Sequence, residues 1–204
     1  MRVKICGIMD VNTAKVAIDY GADALGFVFA ESKRKISPEK AGVIISQLPK
    51  EVIKVGVFVN ETEDEIERIA AIAGLTHIQL HGDETAVFSS ALSLPVIKAV
   101  SFQSNDALAS YHQYPCEYLL LDGPKGKYRG GNGTAFEWTD VNTNLLKEKK
   151  IILAGGLNAD NVEEAIKIIS PYMVDVSSGV ETDGVKDFTK IKSFIEKAKG
   201  ILLV

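Results

Sequence analysis

A thiol, an ammonium and a carboxylate stand in this chain at points where short apolar runs stop. Cys6 lies in Arg2-Val3-Lys4-Ile5-Cys6-Gly7-Ile8. Lys4 and Cys6 are two residues apart, so on a strand they point to the same side. A neighbouring ammonium favours thiolate, the reactive form of cysteine. A free cysteine is also a small buried hydrophobe, and the heptapeptide alone leaves both readings open. Asp122 follows the apolar run Tyr118-Leu119-Leu120-Leu121 and precedes a glycine-rich loop at 123–134. A carboxyl at the rim of an apolar strand can hold its proton and act as a general acid. The alternative is that Asp122 caps a turn. A loop of that composition is expected to close over a site and exclude water.

Two further stretches suit an anion. Ala154-Gly155-Gly156-Leu157-Asn158 leads into a helix, and Ser177-Ser178-Gly179-Val180-Glu181 follows another apolar run. Glycines expose backbone N–H groups, serines add hydroxyl donors, and helix N-termini favour negative charge. Arg34, in Lys33-Arg34-Lys35, can fork onto a ligand carboxylate or belong to a solvated basic surface. His81, in Gln79-Leu80-His81-Gly82-Asp83-Glu84, can face a ligand or help begin the next helix. Phe136, Trp138 and Met173 read as packing residues.

The elements that must position these residues repeat from end to end. Strands are expected at Val3–Cys6, Ala24–Phe29, Ile53–Val59, His77–Leu80, Val96–Val100, Tyr118–Leu121, Ile151–Ala154 and Val174–Ser177. They are Val-, Ile- and Leu-rich, as strands buried on both faces are. Helix starts fall between them: Asp10, then Ser37 before Pro38, a capping box at Thr62–Glu65, and Asn158 before Val162, Ala165 and Ile169. The last helix is expected to bury Phe188, Ile191, Ile195 and Ala198, while the fifth, near Asn105–Tyr111, is short or irregular. Eight strand–helix units with no dinucleotide fingerprint favour α/β class: a single parallel eight-stranded (β/α)8 TIM barrel over residues 1–204, rather than an open doubly wound sheet. The working face of such a barrel is at the C-terminal ends of its strands, with phosphate usually held after strands seven and eight. Closure lays strand eight beside strand one. Lys4 and Asp175 are therefore expected to form an ion pair beneath the thiol, because isolated charges in buried strands need partners.

Bulk properties narrow the partners. A net charge of -4 gives no reason to expect nucleic acid or an anionic membrane. The longest apolar runs are strand-length, and no signal peptide is expected before the first strand. The two cysteines, Cys6 and Cys116, offer no disulfide framework or zinc spacing, so a reducing, cytoplasmic location is expected.

These stretches in this order resemble the phosphoribosylanthranilate isomerase family over nearly the whole chain. The matching pieces include Lys4-Ile5-Cys6-Gly7-Ile8, Gly26-Phe27-Val28-Phe29 with Ser32-Lys33-Arg34, Gln79-Leu80-His81-Gly82-Asp83-Glu84, Ala154-Gly155-Gly156-Leu157 and Asp175-Val176-Ser177-Ser178-Gly179-Val180-Glu181. The resemblance implies an Amadori rearrangement of N-(5-phosphoribosyl)anthranilate in tryptophan biosynthesis, with Asp122 as general acid and Cys6 as general base. It implies that Arg34 binds the anthranilate carboxylate and that Gly155, Gly156, Ser177, Ser178 and Gly179 hold the phosphate. Lys4, Gln79, His81 and Asp175 are expected to complete the substrate site. No metal or organic cofactor is implied, and the chain is expected to be a monomer or homodimer. Lys33, Asn132 and Glu137 depart from residues common in the family, beside the proposed acid–base pair rather than at it. The competing expectations are a histidine-pathway phosphosugar isomerase, which would need carboxylates and two phosphate sites, and a catalytically silent phosphate-binding barrel.

Overall fold

The computed structural model describes residues 1–123, 138–146 and 148–200. Eight parallel strands close into a barrel in sequence order. They are β1 (Arg2–Cys6), β2 (Ala24–Val28), β3 (Ile53–Phe58), β4 (His77–Leu80), β5 (Val96–Ser101), β6 (Tyr118–Asp122), β7 (Lys150–Leu153) and β8 (Met173–Val176). The seam is β1 against β8, with Lys4 opposite Asp175. Among the described residues seven α-helices pack outside: α1 (Val11–Asp19), α2 (Pro38–Ile45), α3 (Glu63–Ala73), α4 (Ala86–Ala91), α5 (Asn105–Ala109), α6 (Val162–Ile169) and α7 (Phe188–Lys199). A two-stranded hairpin, β9 (Glu181–Thr182) and β10 (Val185–Lys186), stands between β8 and α7.

Alternation along each strand divides the core in two. Val3, Ile5, Leu25, Phe27 and Val174 face outward and join the helices in one apolar layer. Ala24, Val55, Ile97, Leu120, Ile152 and Met173 fill the barrel itself. Cys6, Val28 and Val57 form a small cluster of their own. The interior also holds Lys4, which is wholly buried, and Asp175 at 8 % exposure. The Lys4 Nζ donates to Asp175 Oδ2 at 3.0 Å, the pairing that closure requires.

Local capping starts the helices. The Asp10 carboxylate accepts from Thr13 N, Ser37 Oγ from Lys40 N, and Asp187 Oδ1 from Thr189 and Lys190 N. Several expectations need correction. Thr62 caps α3, but Glu65 forks with Arg68 instead of reaching back to Thr62, so the capping box is half made. Asn158 does not cap α6; the residue before that helix is Asn161, whose carboxamide accepts from Asn158 N. Asn158 instead folds its side chain onto Asp160 N, a local bond short polar residues make readily. Phe188 is 37 % exposed at the first turn of α7, and Phe194 takes the buried place. Among the described residues the sixth strand is followed by 3₁₀ turns at Trp138–Asp140 and Thr143–Leu146, not an α-helix. The Asn105 side chain ties that segment, donating to Asp140 O and accepting from Asn142 N, bonds that compete with helix formation. The lid expected at 123–134 lies outside the described residues beyond Gly123. No helix among the described residues is long and apolar enough to cross a membrane.

Candidate active site

A cavity of about 540 Å³ opens at the C-terminal ends of the strands. Cys6, Gln79, His81, Asp122 and Asp175 line its floor and sides, and Arg34 lines one wall. Gly155, Gly156, Ser177 and Ser178 line it as well. Lys4 is not part of the lining: the side chain is fully covered and ends on Asp175, so it underlies the cavity without touching a ligand there. Gly179 is in the wall, pressed against Leu157 and Asn158 so closely that a Cβ would overlap the Leu157 carbonyl oxygen.

The thiol is placed by β1 and by a gap in β2. Gly26 pairs with Cys6 across the strands, and a Cβ there would lie 2.6 Å from the Cys6 Sγ. Burial pushes the Cys6 thiol pKa up; Lys4 and Lys186 pull it down, while Asp175 pushes it up again. Burial wins, so Cys6 rests as a thiol near neutrality. Lys4 does favour the thiolate, as its spacing from Cys6 implies, but burial outweighs it and Asp175 opposes it. Burial also opposes the Lys4 ammonium, yet Asp175 and Cys6 outweigh it and hold its pKa above the ordinary lysine value.

Asp122 ends β6 and is held at both oxygens. Oδ1 accepts from Gly123 N at 2.8 Å, and Oδ2 is 3.2 Å from His81 Nε2. His81 Nδ1 lies 3.1 Å from Gln79 Nε2. With the Gln79 amide NH2 as donor, Nδ1 accepts and Nε2 is the ring nitrogen that faces Asp122. Gln79, His81 and Asp122 thus form a chain across β4 and β6. The β4 end is clamped in turn by the buried Lys98 and Glu84: Lys98 Nζ donates to Gly82 O and Glu84 Oε2, and Glu84 accepts from Asn60 N and Gly82 N.

The arc after β7 and β8 is rich in glycine and serine. Gly155 and Gly156 have φ of 80° and 68°, turning the chain as only glycine does without strain. Gly155 lies beside Asp122, where a Cβ would be 3.0 Å from Oδ1. Ser178 begins a short 3₁₀ turn, and its neighbour Gly179 presses that turn onto the preceding loop. Two donor-rich loops therefore share one edge of the cavity.

The Arg34 stem crosses directly over Gly7, one residue past Cys6. Its Nε and Nη2 donate to the two oxygens of Glu181, each at 2.7 Å. Glu181 also accepts from Lys186 Nζ at 2.7 Å. Burial works against the Glu181 carboxylate, but Arg34 and Lys186 outweigh it and hold its pKa below the ordinary range. Lys186 was not singled out in the sequence, although a signal was present. Thr182-Asp183-Gly184-Val185 is an Asp-Gly hairpin turn, with φ of 52° and 80° at its centre. Such a turn sets Glu181 directly opposite Lys186.

Comparison with known proteins gives one answer. Residues 3–197 match the family model for N-(5'phosphoribosyl)anthranilate (PRA) isomerase. An N-(5'-phosphoribosyl)anthranilate isomerase of Bacillus cereus strain B4264 is 57% identical over 201 residues, covering 98% of each chain. The crystal structure of phosphoribosyl anthranilate isomerase from Thermotoga maritima superposes with a TM-score of 0.90 at 41% identity, covering 98% of this chain and 100% of that one. A phosphoribosyl anthranilate isomerase in complex with reduced 1-(o-carboxyphenylamino)-1-deoxyribulose 5-phosphate matches with a TM-score of 0.86 at 40% identity, covering 98% of this chain and 100% of that one.

Proposed function

This chain belongs to the N-(5'-phosphoribosyl)anthranilate isomerase family, isomerases of tryptophan biosynthesis, and we propose that it performs their reaction with Cys6 as base and Asp122 as acid. The substrate would be N-(5'-phosphoribosyl)anthranilate, its phosphate on the loops of Gly155–Gly156 and Ser177–Gly179. The observation that carries the residue assignment is that Cys6 and Asp122, from β1 and β6, line one cavity beside those loops.

The steps balance without a cofactor. Asp122 gives its proton to the ribose ring oxygen as the C1–O bond breaks, and the substrate nitrogen's lone pair forms the C1=N bond. Cys6 removes the C2 proton, those electrons form the C1=C2 bond, and the C1=N pair returns to nitrogen to give an enolamine. Loss of the O2 proton and protonation at C1 yield the ketose. A thiol base needs only to be ionised and within reach of that proton. Because burial holds Cys6 as a thiol at rest, its deprotonation lies on the path, and kcat/KM is expected to rise with pH until Cys6 is ionised. Arg34 is expected to take the anthranilate carboxylate while Glu181 holds its other edge.

The test is turnover of phosphoribosylanthranilate followed by its fluorescence. Cys6→Ala and Asp122→Asn are each expected to lower kcat by about a hundredfold or more with little change in KM, as loss of a general base or acid does. Near-normal kcat in either variant would reject the role given to that residue.

A further inference from the structure

Lys186 sits behind the cavity wall, not in it. Its side chain is 6 % exposed and Glu181's is 7 %. The Nζ donates to Ser177 O at 2.9 Å, Ser177 Oγ at 3.3 Å and Glu181 Oε1 at 2.7 Å. Three acceptors use all three protons of an ammonium, so the geometry fits the charged form. Ser177 Oγ in turn donates to Cys6 O at 3.1 Å. Lys186 therefore reaches the base's own backbone through one hydroxyl.

The charges around Cys6 can be counted element by element. On β1, Lys4 is paired with Asp175 of β8. After β2, Arg34 is paired with Glu181 of β9. At the rim, Glu31 is paired with Lys35 at 3.2 Å, and Lys33 is exposed to solvent outside the buried group. His81, after β4, lies between Gln79 and Asp122 of β6 and is counted here as an uncharged ring. Arg34 and Lys186 share the one carboxylate of Glu181, so when Asp122 carries the proton it must deliver, this buried group holds one positive charge in excess. A Cys6 thiolate then brings the buried site to zero. We infer that Lys186 is a positioning residue for this isomerisation: from its hairpin behind Ser177 it supplies, with Arg34, the excess charge that makes the reactive pair, thiolate and protonated acid, electrically neutral. Burial, with Arg34 acting the same way, holds the Lys186 pKa below the ordinary lysine value, while Glu181 and Cys6 favour its charge. Glu181, shared between Lys186 and Arg34, ties this charge to the arginine that lies over Gly7.

This inference rests on Cys6 being the base. In a Cys116→Ser background, Cys6 is the one remaining thiol, and its ultraviolet thiolate absorbance can be titrated without substrate. Lys186→Met is expected to move that transition, and the acid limb of the kcat profile with it, upward by about one pH unit, so that kcat near neutrality falls about tenfold and recovers in alkali. KM is expected to hold, and Lys186→Arg to restore both curves. Glu181→Gln, which removes the negative neighbour, is expected to move the thiol transition downward, and it carries the test should Lys186→Met not fold. A transition unmoved by Lys186→Met, or moved upward or left in place by Glu181→Gln, would overturn the role of Lys186 while leaving Cys6 as the base. Near-normal turnover by Cys6→Ala would instead overturn the base assignment, whatever the titrations show.

Discussion

The Lys4–Asp175 pair shows how a single spacing in the sequence becomes a structural fact. Each residue lies two positions before a site residue, Cys6 or Ser177, and the β1–β8 register sets them side by side. The pair is enclosed, with Lys4 wholly covered and Asp175 Oδ1 lacking any hydrogen-bond partner. Removing one partner of such a pair strands the other charge, at a cost of about 3–5 kcal/mol. Lys4→Met is therefore expected to lower unfolding free energy by that amount in urea titrations, and Lys4→Met with Asp175→Leu to recover most of it. The sign with pH follows from the raised Lys4 pKa. The lysine's stabilising contribution is complete below the unfolded value of about 10.4 and is lost as pH rises through the higher folded value. The deficit of Lys4→Met relative to the parent should thus be constant from neutral pH to about 9 and shrink only in stronger alkali. A deficit that shrank between pH 6 and about 8 would place the stabilisation elsewhere.

At the scale of elements, what could be read from the chain was whatever is fixed locally. Strands such as Leu119–Leu121 and Ile151–Leu153 are apolar on both faces because helices cover the outside and other strands the inside, and they fall within a residue of expectation. Asp10, Ser37 and Thr62 start helices with bonds to residues three ahead, also a local matter. Asn158, Phe188 and the segment after β6 were misread because their outcomes depend on neighbours distant in sequence or on competing short-range bonds. The Arg34–Glu181 fork was illegible for the same reason: it spans 147 positions. Two glycines sharpen the division of labour between elements. Gly26 on β2 makes room for the Cys6 thiol, whereas Gly179 lets the loops after β7 and β8 touch. Gly26→Ala is expected to displace the thiol and act chiefly on kcat, by about tenfold or more. Gly179→Ala should part the anion loops and act chiefly on KM, by a similar factor. Steady-state kinetics of both variants check this, and the reverse pattern would mean that the two loops do not hold the phosphate.

For the molecule as a whole, the barrel separates stability from chemistry along its axis. Opposite the cavity, Arg2 lies 4.6 Å from the centre of the Tyr172 ring, and Lys150 5.0 Å from it. Tyr118 packs against both Tyr172 and His77, with ring centres 5.8 Å apart in each case. These residues stand at the N-terminal ends of β1, β4, β6, β7 and β8 and close the bottom of the barrel. None of them lines the cavity. Tyr172→Ala removes a half-buried ring together with its cation–π contacts, at a cost of about 1–3 kcal/mol. Its kcat and KM should stay within about twofold of the parent, because the two ends of the barrel are joined by strands that the change leaves intact. Product at about a hundred times its Kd stabilises the folded state by about 2.7 kcal/mol, and the increment should be the same in Tyr172→Ala as in the parent. Thermal unfolding of both proteins, with and without product, measures the two quantities together. For a chain of this size the ligand increment corresponds to a rise in Tm of about 5–10 °C. Equal increments would show that the bottom of the barrel holds the fold while the top is free to serve the reaction. A smaller increment in Tyr172→Ala would show that the aromatic plug and the cavity are coupled through the interior, with the buried Lys4–Asp175 pair lying between them.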